Sequence, residues 1–173
     1  MTAGEVHAIT RPIAEEFSFD PVLVTAVCQQ ESSFDHQAMR LENGFFRRYV
    51  KGMPLASSSK VLLSASYGLM QVMGLTLKER GYFQWYVDWY NEQAGLSTLL
   101  NPDGQIPIVR GVDEFMSRPE WQVRWGVKTL DAKRKLAGGD VAKALLFYNG
   151  GGNPAYPDEV LEKCAKLRDA LPP

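Results

Sequence analysis

The dipeptide Asp20-Pro21 fixes where a helix begins. An aspartate there can accept hydrogen bonds from the free N–H groups of a first turn, and proline supplies the φ that suits the first helical position. Counting back from Glu31 by three, four and seven residues gives Cys28, Val27 and Val24. Glu31 therefore falls on the apolar face of this helix, in its last turn. Two readings fit a carboxylate in that place. It is a frayed helix end reaching water, as most glutamates do, or an acid whose charge is disfavoured by apolar neighbours and by the negative end of the helix dipole.

Similar punctuation divides the rest of the chain. Residues 4–17 are expected to form a first helix with Val6, Ile9, Ile13 and Phe17 on one side, which Pro12 must kink or delay at its start. From Asp35 to Ser66 the pattern is irregular, with turn signals at Asn43-Gly44, Lys51-Gly52-Met53-Pro54 and Ser57-Ser58-Ser59 and extended pieces expected over 45–50 and 61–63. So long an excursion is more often a functional loop than a linker. A helix is expected from Tyr67 to Arg80. The run from Tyr82 to Tyr90 then carries aromatics at two helical spacings, so at least half of these rings belong to the core and the others are free to line a groove. Asn101 to Val112 reads as a second long loop. Glu120 to Ala137 is a helix with Trp121, Trp125, Leu130 and Leu136 as core residues, stopped by Gly138-Gly139. Asp140 caps a helix that ends near Tyr148 at Asn149-Gly150-Gly151-Gly152. Pro157 opens the last one, with Val160, Leu161, Cys164, Leu167 and Leu171. The pattern gives a mainly α, single helical domain over 1–173, with two long loops.

Composition narrows the function classes. A chain of 173 residues with 45% hydrophobic content can bury a substantial core without staples. Nineteen Lys and Arg stand against 20 Asp and Glu, a net charge of -1 with no basic run, which argues against nucleic-acid binding. No apolar stretch approaches bilayer length, so no membrane partner is expected. The first seven residues lack a basic start and an apolar block, so the chain is expected to be soluble and cytosolic at synthesis. Cys28 and Cys164 read as buried thiols. Cys28 lies inside a helix stripe and not at a helix N-terminus that would lower its pKa, which disfavours a cysteine peptidase with His7 or His36. Two histidines without an acidic or cysteine cluster give no zinc signature, and neither metal nor cofactor is expected.

Three segments then follow in order: Gln30-Glu31-Ser32-Ser33-Phe34-Asp35, Ser66-Tyr67-Gly68-Leu69-Met70-Gln71-Val72-Met73 and Ala144-Leu145-Leu146-Phe147-Tyr148-Asn149-Gly150-Gly151, with Tyr156 as a possible fourth element. In this order the chain resembles the lytic transglycosylases of the soluble, goose-lysozyme-related type, over nearly everything from Asp20 to Leu161. Gly126-Val127-Lys128-Thr129-Leu130 also looks like that family's pattern. The resemblance implies a lysozyme-like α+β fold, a catalytic groove for the glycan strands of peptidoglycan, and Glu31 as the only catalytic carboxylate. It implies Gln71 and Met73 facing the groove, with Ser32, Tyr148, Asn149 and Tyr156 as further substrate-binding candidates. Ser32 could instead bond only its helix backbone, and Asn149 could be a plain helix cap.

Glycosidases that invert configuration keep two carboxylates ~6.5 to 9.5 Å apart around a water. Between His36 and Val87 this chain has no aspartate and only Glu42 and Glu79 as acids. The single-acid route of the family therefore fits, with Glu31 giving a proton to the leaving oxygen and then taking one from the muramoyl C6 hydroxyl to close a 1,6-anhydro ring. Glu42 is the candidate second carboxylate for the alternative, a hydrolysing muramidase. A non-catalytic glycan-binding module is a third option, disfavoured because an acid kept on an apolar face without a task costs stability. The sequence departs from the family in the long links between Glu31 and Gly68 and over 82–112. The expectation is a monomer acting on periplasmic or extracellular cell wall, of phage type, released by a holin or carried on a virion, or else a domain of a longer exported protein.

Overall fold

The computed structural model describes residues 1–94 and 104–171. In chain order the elements are α1 (Ala3–Glu16), α2 (Pro21–Ser32), β1 (Met39–Leu41), the short helical turn α3 (Asn43–Phe45) running into a π-helical turn (Phe46–Val50), α4 (Ser57–Leu63), β2 (Ala65–Tyr67), β3 (Val72–Met73), α5 (Gly74–Glu79), α6 (Tyr82–Ala94), α7 (Gln105–Ser117), α8 (Pro119–Leu136), α9 (Val141–Tyr148) and α10 (Tyr156–Arg168). The domain is mainly helical, with one small antiparallel sheet, and is consistent with a lysozyme-like fold. No helix among the described residues is long and apolar enough to cross a membrane.

The helix starts follow their caps. Asp20 Oδ1 accepts from Val22 N at 2.9 Å and Pro21 occupies the first turn of α2, while Asp140 Oδ1 accepts from Lys143 N at 2.9 Å at the start of α9. Thr2 and Glu5 cap α1 reciprocally, so that helix runs through Pro12 without losing its start. Every residue of α2 from Val22 to Cys28 is buried. A helix apolar all round belongs in the middle of a core, and α2 is indeed flanked by α1 and α10, with α8 packed on α1 and α9.

The sheet has the order β1-β2-β3, with Arg40 opposite Ser66 and Ser66 opposite Met73. This corrects the helix expected over Tyr67–Arg80. Gly68 and Gln71 take φ of +70° and +47°, which no α-helix accommodates, so the chain pairs as β2, turns sharply, returns as β3 and becomes helical only at α5. The two presumed loops also carry structure. Residues 45–50 are helical and not extended, with Phe45 and Tyr49 ring centroids 4.8 Å apart. Residues 61–63 end α4, which turns Leu63 fully inward. Gln105 to Val112 begins α7, because Pro107 lies in a first turn, where a missing N–H costs nothing, and Ile108, Val112 and Phe115 make one buried face. Positions 101–103 of that stretch lie outside the described residues. Leu136 ends α8 at 71% exposure, and Ala137 is the buried neighbour. In α6 the rings divide as expected: Tyr82, Phe83 and Tyr86 are buried, and Trp85 reaches the surface.

The turn between β2 and β3 is held mostly through its main chain. Leu69 N donates to Gln122 Oε1 at 2.9 Å, Leu69 O accepts from Ser32 Oγ at 3.0 Å, and Met70 O accepts from Tyr148 Oη at 2.7 Å. Gly68 N donates to Ala38 O at 2.8 Å. Side chains from α2, α8 and α9 thus converge on two residues, Leu69 and Met70. Gln122 has no exposed surface, and its Nε2 also reaches the carbonyls of His36, Phe115 and Met116. A Cβ on Gly68 would lie 2.3 Å from the Gln122 amide, and one on Gly126 2.3 Å from the Met70 sulfur. Gly68→Ala combines left-handed strain with this overlap and is expected to destabilise the fold by about 2–4 kcal/mol. Gly152→Ala, with nothing within 4 Å, should shift stability by less than about 0.5 kcal/mol. Urea denaturation of both variants measures the difference.

Candidate active site

Glu31 stands one residue before the end of α2. Ser33 and Phe34 follow with φ of 52° and 67°, two consecutive left-handed residues that stop the helix and turn the chain away. Phe34 is buried by that turn. The half-buried Glu31 carboxylate accepts a hydrogen bond from Tyr156 Oη, 2.5 Å from Oε1. Tyr156 is the first residue of α10 and is 2% exposed, so its hydroxyl is delivered from within the core. A polar chain fixes this junction: Gln30 Nε2 donates to Glu159 at 2.7 Å, Asn153 Nδ2 donates to the same carboxylate, and Asn153 N donates to Asn149 Oδ1 at 3.0 Å. The end of α2, the end of α9 and the start of α10 are thereby locked together.

Burial raises the Glu31 pKa above the ordinary carboxylate value, opposed by the Tyr156 hydrogen bond and by the positive charge of Arg40. Around it, Cys28, Tyr148 and Tyr156 are each pushed up, first by burial and then by the negative charge of Glu31. Burial thus disfavours loss of a proton from any of the three. Glu31, the only carboxyl of this cluster, is the group whose proton is most readily lost. The same displacement makes Cys28 a poor nucleophile, in line with its reading as a buried thiol.

Above Glu31 lies a groove enclosing about 650 Å³, with walls from the sheet, α5, α8 and the end of α9. Gln71, Met73, Tyr148 and Asn149 all line it. Gln71 does so with its amide already committed, since Nε2 donates to Ala38 O and Gly68 O at 3.0 Å each and Oε1 accepts from Ser66 Oγ at 2.8 Å. The Tyr148 hydroxyl donates to Met70 O and not to Glu31. Asn149 is the residue that closes α9, and its side chain holds the following loop. Ser32 is not a groove residue. Its hydroxyl is divided between Cys28 O and Leu69 O, both at 3.0 Å, which makes it a strut between α2 and the turn. Tyr156 meets the groove only through Glu31.

Other wall residues were not singled out in the sequence: Phe45, Phe147, Thr129 and Lys133, and the cations Arg40 and Arg80. Thr129 and Lys133 follow Gly126 at helical spacing, so the face that packs on Met70 continues into the groove. Arg40 and Glu42 are two apart beside a strand and share its face. Glu42 lines the groove with its carboxylate 2.5 Å from Arg40 Nε, and Glu79 lines it as well. Among the described residues no group of three or more His, Cys, Asp or Glu side chains is placed to hold a metal ion.

A family model described as the transglycosylase SLT domain matches residues 9–103. The match spans Glu31 and the Gly68 turn, whereas Tyr148, Asn149 and Tyr156 lie beyond it and join the site through the fold. No curated protein and no solved structure matches the chain.

The raised Glu31 pKa carries a sign for stability. The folded state binds the Glu31 proton more tightly than the unfolded chain, so ionisation of this residue lowers stability as pH rises from the ordinary carboxylate range through its folded pKa. Glu31→Gln keeps an acceptor for Tyr156 and removes the charge. Its melting temperature should exceed that of the wild type at pH 7, with the advantage vanishing at pH 4 and below, as thermal melts across pH will read.

Proposed function

The chain belongs to the transglycosylase SLT domain family, and on that premise we propose that it is a peptidoglycan lytic transglycosylase with Glu31 as its acid and base. The observation that carries this reading is the placement of Glu31: a half-buried carboxyl at the floor of a groove, its pKa raised by burial, approached by the Tyr156 hydroxyl. The protonated carboxyl donates to the glycosidic oxygen between N-acetylmuramic acid and N-acetylglucosamine, and the C1–O bond breaks as positive charge develops on the muramoyl ring. The resulting carboxylate is stabilised by the Tyr156 hydrogen bond and the charge of Arg40. It then removes the proton of the muramoyl C6 hydroxyl as that oxygen bonds to C1. The ring closes as the 1,6-anhydro form, and Glu31 is protonated again without a water entering the balance.

A second reading is supported by Glu42, a carboxylate in the same groove. With Glu42 as base, a water would attack C1 and the product would be a reducing sugar. Its pairing with Arg40 occupies one of its oxygens and leaves the other open to a water. A glycan-binding module without activity is the third possibility. We read the protein as a monomer, and a phage-type setting, with release by a holin or carriage on a virion, belongs to the same proposal.

Digestion of purified peptidoglycan with mass analysis of the products separates these readings. The wild type is expected to give muropeptides one water lighter than reducing ends. Glu31→Gln should lose about 10²- to 10⁴-fold in rate, the range a general acid and base contributes, while Glu42→Gln keeps the anhydro product. Reducing ends that disappear in Glu42→Gln would establish the hydrolase, and an inert wild type the binding module.

A further inference from the structure

A second cavity, of about 310 Å³, adjoins the groove. Its walls continue those of the groove in chain order. Along α8, Thr129 and Lys133 face the groove, whereas Arg124, Trp125 and Lys128 face the second cavity. On the α5–α6 side Thr76 and Glu79 face the groove, Arg80 faces both spaces, and Gly81 and Trp85 face only the second cavity. The two spaces therefore meet at Arg80, beside α8 and the α5–α6 corner. Lys128 and Lys133 are about 7.5 Å apart along the axis of α8 and about 140° apart around it, so the two spaces open on different faces of that helix.

The chemistry of this second space differs from that of the groove. Its charged residues are Arg80, Arg124, Lys128 and Glu16. Glu16 is taken by Arg124, with both carboxylate oxygens 2.9 Å from Nη1. Arg80 and Lys128 have no carboxylate partner among the described residues. Lys128 Nζ sits 4.2 Å from the centroid of the Trp125 ring, which holds the ammonium in place without neutralising it. Trp85, 36% exposed, adds an apolar wall. An arrangement of two uncompensated cations beside indole rings suits a ligand that brings carboxylates on a short aliphatic backbone.

We propose that this cavity binds the carboxylate-bearing peptide stem of the glycan strand whose sugars occupy the groove. The inference rests on the peptidoglycan reading above. The stem leaves the muramoyl ring beside the bond being broken, and Arg80, shared by both spaces, marks where it crosses. Lys128 and Arg80 pair with stem carboxylates, and the aliphatic part of the stem lies on Trp85.

Tryptophan fluorescence tests this directly, because Trp85 and Trp125 line the cavity. The probes are N-acetylglucosaminyl-N-acetylmuramoyl-tetrapeptide, which lacks the scissile bond, the same compound with its stem carboxylates converted to amides, and the bare disaccharide. The wild type should bind the carboxylate form about tenfold more tightly than the other two, as expected for charge-assisted contacts. Lys128→Gln, at an exposed position, should erase that preference, and Lys166→Gln, an equal charge change on α10, should keep it. Equal affinity for all three probes, no fluorescence response, or an unchanged preference in Lys128→Gln would overturn the proposal. Digestion of intact peptidoglycan, run in parallel, keeps the two readings apart. Digestion without probe discrimination removes the stem site alone, and probe discrimination without digestion removes the catalytic reading while leaving the stem site standing.

Discussion

The architecture depends on the three-residue turn Gly68-Leu69-Met70. Its main-chain groups are satisfied by Ser32 from α2, Gln122 from α8 and Tyr148 from α9. Buried main-chain polar groups require partners, and here the partners come from the helices that carry or flank the acid. The turn can approach them only because Gly68 and Gly126 leave room for the Gln122 and Met70 side chains. Satisfying one turn therefore sets the position of β2 and β3 against α2, and with it the height of the groove wall above Glu31.

Around the acid the same economy of polar groups produces chemistry. Burial and the charge of Glu31 push the pKa values of Cys28, Tyr148 and Tyr156 up, while burial raises that of Glu31 itself. Tyr156 donates to the carboxylate, which moderates the effect of burial, and the Glu159, Asn153 and Asn149 chain keeps Tyr156 at that distance. The family match ends before these residues. Their contribution comes from the fold, which brings the start of α10 to the end of α2.

Much of this was legible in the sequence where a local rule decides. The Asp20-Pro21 start, the apolar stripe leading to Glu31 and the Asp140 cap each depend on a few neighbouring residues, and each is found as read. The segment Tyr67–Arg80 was misread because its apolar spacing satisfies a helix, while the deciding facts are nonlocal: β1 supplies a pairing partner and Gln122 supplies the acceptor for Leu69 N. Residues 105–112 were misread for the opposite reason, since Pro107 and Gly111 suggest a loop until the first-turn position of the proline and the packing of Gly111 on Phe83 are seen. Ser32 belongs to the site's frame, and Tyr148 lines the groove while its hydroxyl is committed to that frame, a distinction that needs the turn's hydrogen bonds. Gln122 left one usable trace, a polar side chain on the buried face of an amphipathic helix.

Burial raises the Glu31 pKa above the ordinary carboxylate value, and the Tyr156 hydrogen bond limits the rise. Carbon-13 NMR titration of the glutamate side-chain carboxyls, with Glu31 assigned by its loss in Glu31→Gln, measures this without any substrate. The account predicts a Glu31 midpoint above those of the exposed glutamates, and a further increase in Tyr156→Phe, where the hydrogen bond to the carboxylate is gone. A midpoint at or below that of the exposed glutamates, or one that falls in Tyr156→Phe, would contradict it.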